Sequence, residues 1–311
     1  MSKTILAVGA HIGDMELTCG ARGAYRDELR LQTGHRHAAA RRGQDRGGNA
    51  AHARERPCRR GAGGLSMAFL HCEIASESLR MATAVDVILP DKGELSEVKT
   101  LYLLHGLTDD CTGWTRYTAV ERYARERGLA VVLPEVQRSF YTDMAYGLPY
   151  FTYVSEELPA VCRRMFGLGA AREQNYIFGL SMGGYGAMKC ALTYPDRYAG
   201  AASFSGVCDL RRTVERRSIS LHESEIAAIF GEEKAVPPKD DLFVLAERLS
   251  GEAPGLYLSC GEQDGLYAAN ERFSAHLASL SLAHRFDHWP GAHTWDFWDK
   301  SLRAALAYFF D

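Results

Sequence analysis

"FGLSMGG", residues 178–184, sets Ser181 between two glycines in the order Gly, any residue, Ser, any residue, Gly. A five-residue pattern is short enough to arise by chance, so its surroundings decide what it means. Upstream, "NYIF" (175–178) is an apolar run of the kind that forms a buried strand, and downstream "MGGYGAMKCALTYP" (182–195) reads as a helix. A serine at such a junction, with Gly179, Gly183 and Gly184 removing side chains that would clash, sits on a sharp turn with its hydroxyl accessible. The competing reading is a glycine-rich packing turn with an idle serine, and partners elsewhere in the chain separate the two.

Outward from this turn the same alternation repeats. "MATAVDVILP" (81–90), "TLYLLHG" (100–106), "LAVVLPEV" (129–136), "YAGAASFSG" (198–206), "GLYLSCG" (255–261) and "AHRFDHW" (283–289) are apolar runs bounded by turn residues and are expected as strands. Residues 117–128, 153–167, 266–280 and 294–310 carry amphipathic patterns expected as helices, the first closed by Gly128. Alternation of this kind predicts an α/β fold: a mostly parallel central sheet, helices on both faces, and an active site at the carboxyl ends of the strands. Residues 207–240, rich in charge and ending "AVPPKDD", form the one long irregular stretch and are expected as a small cap or lid.

A serine hydroxyl is a weak nucleophile at neutral pH and needs a base within hydrogen-bond reach, itself oriented by a carboxylate. In α/β-hydrolases the three follow in the order Ser, Asp or Glu, His. "YLSCGEQDG" puts Asp264 in a loop after a strand, and "HWPGAHTW" puts His293 between the last strand and the last helix. Ser181, Asp264 and His293 are therefore the expected catalytic residues, all at one sheet edge. Asp209 in "SGVCDL" also follows a strand and is the alternative acid. Asp287 and His288 fall inside a strand, and His276 and His284 read as surface or packing histidines. The oxyanion of a tetrahedral intermediate needs two backbone N–H donors, for which Met182 and Leu107 are placed, with Gly106 allowing close approach. His105 reads as a loop brace. A binding protein on the same scaffold would ordinarily lack one member of the triad, and all three members are present.

The chain has 311 residues, 46% of them apolar, and a net charge of −3, enough for one large α/β domain with an appendage. Residues 1–66 carry 12 Lys and Arg against 6 Asp and Glu, whereas residues 67–311 carry 24 against 33. From Gln32 to Gly64 there is no Leu, Ile, Val, Met, Phe, Trp or Tyr, so this segment cannot bury enough apolar surface to order itself and is expected to be disordered. An arginine-rich nucleic-acid arm is disfavoured, because aromatic residues are absent from it and the acidic body would repel a polyanion. No run of 18 apolar residues exists, and "TILAVGA" (4–10) is too short to span a membrane and lacks a cleavage pattern. Eight scattered cysteines without a C-x-x-C pair suit free thiols in a reducing cytoplasm. The expectation is a cytoplasmic protein with no nucleic-acid or membrane partner, divided into an extension (1–66) and a catalytic domain (67–311).

Two resemblances add to this. "ILAVGAHIGDMELTCGA" (5–21) resembles the opening of the LmbE/PIG-L zinc deacetylases, with His11 and Asp14 at ligand positions, but the chain then passes into Arg/Ala/Gly sequence without the rest of that family's ligands. Residues 67–311 resemble the esterase D branch of the α/β-hydrolases, and most closely tributyrin esterases, through "LYLLHGLTDDCTGW", "YTDMAYGLPYFTYVSEELP", "FGLSMGGYGAMKCALTYPDRYAGAASFSG", "SCGEQD" and "GAHTWDFW". That resemblance implies hydrolysis of short-chain acyl esters through an acyl-enzyme, with no metal or organic cofactor, often in a homo-oligomer. The relatives it brings in as alternatives are carbohydrate acetyl or feruloyl esterases and S-formylglutathione hydrolases, although "HGLTDDCTGW" departs from the loop of the latter. Trp114, Tyr146, Tyr150, Trp289 and Trp295 are expected to line the substrate pocket, with core packing as the competing fate of each large side chain.

Overall fold

The computed structural model describes residues 66–91, 93–218 and 220–311. The disordered segment expected over 32–64 and the deacetylase-like His11 and Asp14 lie outside the described residues. The chain runs through β1 (Met67–Ser76), β2 (Met81–Pro90), β3 (Thr100–Leu104), α1 (Gly113–Tyr117), α2 (Val120–Arg127) and β4 (Ala130–Pro134). A short α3 (Tyr150–Thr152) passes through a wide π turn at Tyr153–Glu157 into α4 (Leu158–Phe166), followed by β5 (Asn175–Leu180), α5 (Met182–Thr193) and β6 (Gly200–Phe204). After these come α6 (Leu210–Glu215), α7 (Glu223–Phe230), α8 (Leu242–Glu247), β7 (Gly255–Gly261), α9 (Tyr267–Ser279), β8 (His284–Trp289) and α10 (Trp295–Phe310).

The eight strands form one sheet in the order β1-β2-β4-β3-β5-β6-β7-β8. β1 and β2 make an antiparallel hairpin and β2 pairs antiparallel with β4, while every pair from β4 to β8 is parallel. β3 and β4 are mainly apolar and buried throughout, as strands covered on both faces must be. Alternate residues feed two cores. Tyr102, Leu104, Val132 and Ile177 pack toward α4 and α5, and Leu101, Leu103, Val131 and Phe178 pack toward α2 and α10. From β3 the chain steps to β4 on one side and later enters β5 on the other, so the strand order reverses at β3. In an open α/β sheet that reversal opens a crevice at the carboxyl ends, between the loops after β3 and β5.

Three elements differ from expectation. β1 is an additional edge strand: Leu70, Cys72, Ile74 and Ser76 turn a half-buried to buried face inward while Phe69, His71, Glu73 and Ala75 are exposed, a period-two alternation that is short and broken at its start. The helix expected over 117–128 is broken at Thr118, which is extended; its hydroxyl donates to the Trp114 carbonyl at 2.6 Å and receives the Val120 N–H at 3.2 Å. The stretch over 207–240 is not irregular but contains α6 and α7.

Candidate active site

Between the end of β5 and the start of α5, Ser181 stands alone with φ +52° and ψ −115°. A non-glycine residue at positive φ is strained. The surrounding backbone holds it there: the Ser181 N–H donates to the Phe204 carbonyl at 2.8 Å, and its carbonyl accepts from Tyr185 at 3.1 Å and Val207 at 3.2 Å. The glycines permit the approach. A Cβ on Gly183 would lie 2.5 Å from the Leu104 carbonyl oxygen, and one on Gly179 would fall on the Gly183 carbonyl.

Asp264 and His293 come from neighbouring loops, after β7 and after β8. Main-chain bonds tie these loops together, with Gln263 N–H on the Gly291 carbonyl at 3.0 Å and Glu262 N–H on the Trp289 carbonyl at 3.1 Å. His293 Nδ1 donates to Asp264 Oδ2 at 2.8 Å, and His293 Nε2 lies 3.0 Å from Ser181 Oγ. An ionised Asp264 can only accept, so the imidazole proton sits on Nδ1 and leaves Nε2 as acceptor for the serine hydroxyl. Burial alone would raise the Asp264 pKa. The His293 ring and the Leu266 N–H, 2.9 Å from Oδ1, outweigh burial and hold the carboxyl below its ordinary value. Trp298 packs against the imidazole in a T-shaped arrangement, with centroids 4.8 Å apart.

On the other side of the crevice, a Cβ on Gly106 would come within 3.8 Å of Ser181 Cβ, so the loop after β3 passes beside the serine. Among the described residues, neither the Leu107 nor the Met182 amide donates a hydrogen bond to protein, which leaves both for a ligand oxygen. His105 braces this loop: its Nε2 accepts from the Val136 N–H at 3.1 Å and its Nδ1 donates to the Gly106 carbonyl at 2.7 Å.

A cavity of about 710 Å³ lies over these groups, lined by Leu107, Ser181, Asp264 and His293 and also by Asp109, Phe140, Arg212, Arg216, Arg272 and Trp298. Burial raises the pKa of Asp109. None of the five aromatic residues expected at the pocket lines this cavity. Trp114 is fully buried, donates its indole N–H to the Leu104 carbonyl at 3.0 Å and packs edge-on against Trp295. Tyr150 is buried in the core, Trp289 stacks on Phe297, Trp295 rests against Tyr117, and Tyr146 is 62% exposed. Their size and apolarity made them pocket candidates, but neither property says which face of the fold receives them.

The competing residues have other partners. Asp209 caps α6 by accepting the Arg212 N–H at 3.3 Å and pairs with Arg272 at 2.8 Å. Asp287 accepts from the Tyr257 hydroxyl, and His288 meets Glu262. His284 bonds Ser274, and His276 meets the Phe243 carbonyl. His71, Asp86 and Cys111 bring three potential metal ligands within 4.8 Å of one another, and none of the three lines the cavity.

A mostly parallel sheet with a serine elbow places the chain among the α/β-fold ester hydrolases. Residues 76–309 match the family model described as "Putative esterase", and the chain belongs to that esterase family. The acetyl esterase of Caldicellulosiruptor saccharolyticus is 29% identical over 258 residues, covering 77% of this chain and 97% of its own length. A fluorophosphonate-binding serine hydrolase of Staphylococcus aureus superposes with a TM-score of 0.73 at 33% identity, over 79% of this chain and 99% of that one. An S-formylglutathione hydrolase of Staphylococcus aureus does so with the same score and identity, over 79% and 100%. The chain is a carboxylic ester hydrolase.

Proposed function

We propose that the chain is a serine carboxylesterase acting on short-chain acyl esters through an acyl-enzyme, with the activity carried by residues 67–311. The observation that carries this reading is the continuous line from Asp264 through His293 to Ser181, at 2.8 and 3.0 Å. Ser181 Oγ attacks the ester carbonyl while His293 Nε2 takes its proton, and the Leu107 and Met182 amides receive the developing oxyanion. Collapse breaks the acyl–oxygen bond as His293 returns the proton to the departing alcohol. Water, deprotonated by the same imidazole, then releases the acid and restores Ser181. Asp264 holds the ring in the tautomer that both steps need.

The acetyl esterase relative supports a short acyl group. A second reading, thioester hydrolysis of S-formylglutathione, is supported by the Staphylococcus aureus relative so named; carbohydrate acetyl and feruloyl esters complete the panel worth assaying. The cytoplasmic reading is supported by free thiols at Cys72, Cys111, Cys162, Cys190, Cys208 and Cys260. Among the described residues no helix is long and apolar enough to cross a membrane. Ser181→Ala is expected to lower p-nitrophenyl acetate hydrolysis by about 10³-fold or more, as loss of a triad nucleophile does. Retention of native activity in that variant would remove Ser181 from the reaction.

A further inference from the structure

The cavity over Ser181 gathers positive charge in a body that is otherwise acidic. Residues 67–311 hold 24 Lys and Arg against 33 Asp and Glu, yet Arg212, Arg216 and Arg272 all line this one cavity. Neighbouring arginines are neutralised elsewhere: Arg211 meets Asp241 and Arg217 meets Glu223, each at 2.8 Å. Arg212 and Arg216 form no ion pair among the described residues. They stand four residues apart, at the last turn of α6 and its end, so their side chains share one helix face and their like charges repel. An anion held between them converts that repulsion into attraction.

Arg272 arrives from α9 and is oriented by Asp209, which receives its Nη2 at 2.8 Å and its Nε at 3.3 Å. The same carboxylate caps α6 through the Arg212 N–H, so one acid ties the two helices and gathers the three arginines around one space. Two carboxylates also line the cavity. Asp264 is occupied by His293 and the Leu266 N–H, and Asp109 lies against Gly106, its Oδ2 3.0 Å from where a Cβ there would be. About 710 Å³ is more room than an acetyl ester fills and falls in the ordinary range for ligand pockets.

We propose that Arg212, Arg216 and Arg272 form an anion subsite of this cavity, so that the preferred ester carries a carboxylate remote from its scissile bond. Guanidinium forks match a carboxylate in two parallel hydrogen bonds, which gives orientation as well as affinity. The inference rests on Ser181 being the nucleophile of an esterase. Two pairs of probes test it with the full chain. On the acyl side, mono-p-nitrophenyl succinate is compared with p-nitrophenyl butyrate; on the alcohol side, 3-carboxyphenyl acetate is compared with phenyl acetate. A preference for the charged member of either pair is expected, by about tenfold in kcat/KM at low salt. In Arg212→Gln/Arg216→Gln, kcat/KM for the charged ester should fall about tenfold more than for its neutral partner, and Arg212→Lys/Arg216→Lys should restore most of the preference. Hydrolysis of the neutral esters with no charge preference on either side, or a preference untouched by the double Gln variant, overturns the subsite alone. Failure of the native chain to hydrolyse any of the four esters overturns the esterase reading and the subsite with it.

Discussion

Ser181 is held at φ +52°, a conformation the serine side chain disfavours, and it stays there because the Phe204 carbonyl, the Tyr185 and Val207 amides and the bare Gly179 and Gly183 leave no relaxed alternative. Asp264 is the residue whose chemistry is easiest to interrogate separately from Ser181. Its carboxyl titrates below its ordinary value when folded, because the bonds from His293 and the Leu266 N–H outweigh the effect of burial. An unfolded aspartate titrates at about 3.9. Ionised Asp264 therefore favours the folded state above that pH, and the contribution is lost as pH falls through the lower folded value. Asp264→Asn removes it at every pH. The variant should lose less melting temperature than the native chain between pH 7 and pH 3, and its kcat should fall by about 10⁴-fold. Equal acid losses in the two proteins would show that Asp264 is not stabilised as an anion in the fold.

At the scale of elements, α5 is held from both ends. Its start is the elbow, and near its end Lys189 is fully buried, with Nζ 2.5 Å from Asp240 Oδ1 and 2.8 Å from the Tyr141 carbonyl. This ion pair anchors the segment that follows α7 to the helix that begins just after Ser181. Removing one member of a buried pair strands the other charge: Lys189→Met should cost about 3–5 kcal/mol, measured by denaturant unfolding. Lys189→Met/Asp240→Leu should recover most of that loss. A single variant as stable as the native chain would mean that Asp240 finds another partner or is not charged. The elements around the site were the legible part of the sequence. "NYIFGL" and "TLYLL" are wholly buried strands, and glycine-containing turns mark where they end. β1 was harder to read because only Leu70, Cys72, Ile74 and Ser76 carry its alternation and the strand begins with exposed residues, and the break at Thr118 depends on one side-chain hydrogen bond that propensity does not register.

Over the whole molecule, the order Ser181, Asp264, His293 could be read because each follows a strand of a parallel sheet, and such a sheet delivers all its carboxyl-end loops to one edge. The walls of the cavity could not be read in the same way. Arg212 and Arg272 are 60 residues apart, and Asp209, which caps α6 and pairs with Arg272 of α9, links them. Trp298, which was not among the expected pocket residues, meets the imidazole, while Trp114, which was, is fully buried with its indole bonded to Leu104. The central claim concerns the serine they surround. Treating the full chain with a fluorophosphonate, which phosphonylates an activated serine hydroxyl, and mapping the adduct by peptide mass spectrometry tests it most directly. The account predicts one adduct per chain, on the peptide containing Ser181, formed in step with loss of esterase activity and absent from Ser181→Ala. An adduct on another residue, or complete labelling of Ser181 with esterase activity intact, would contradict it.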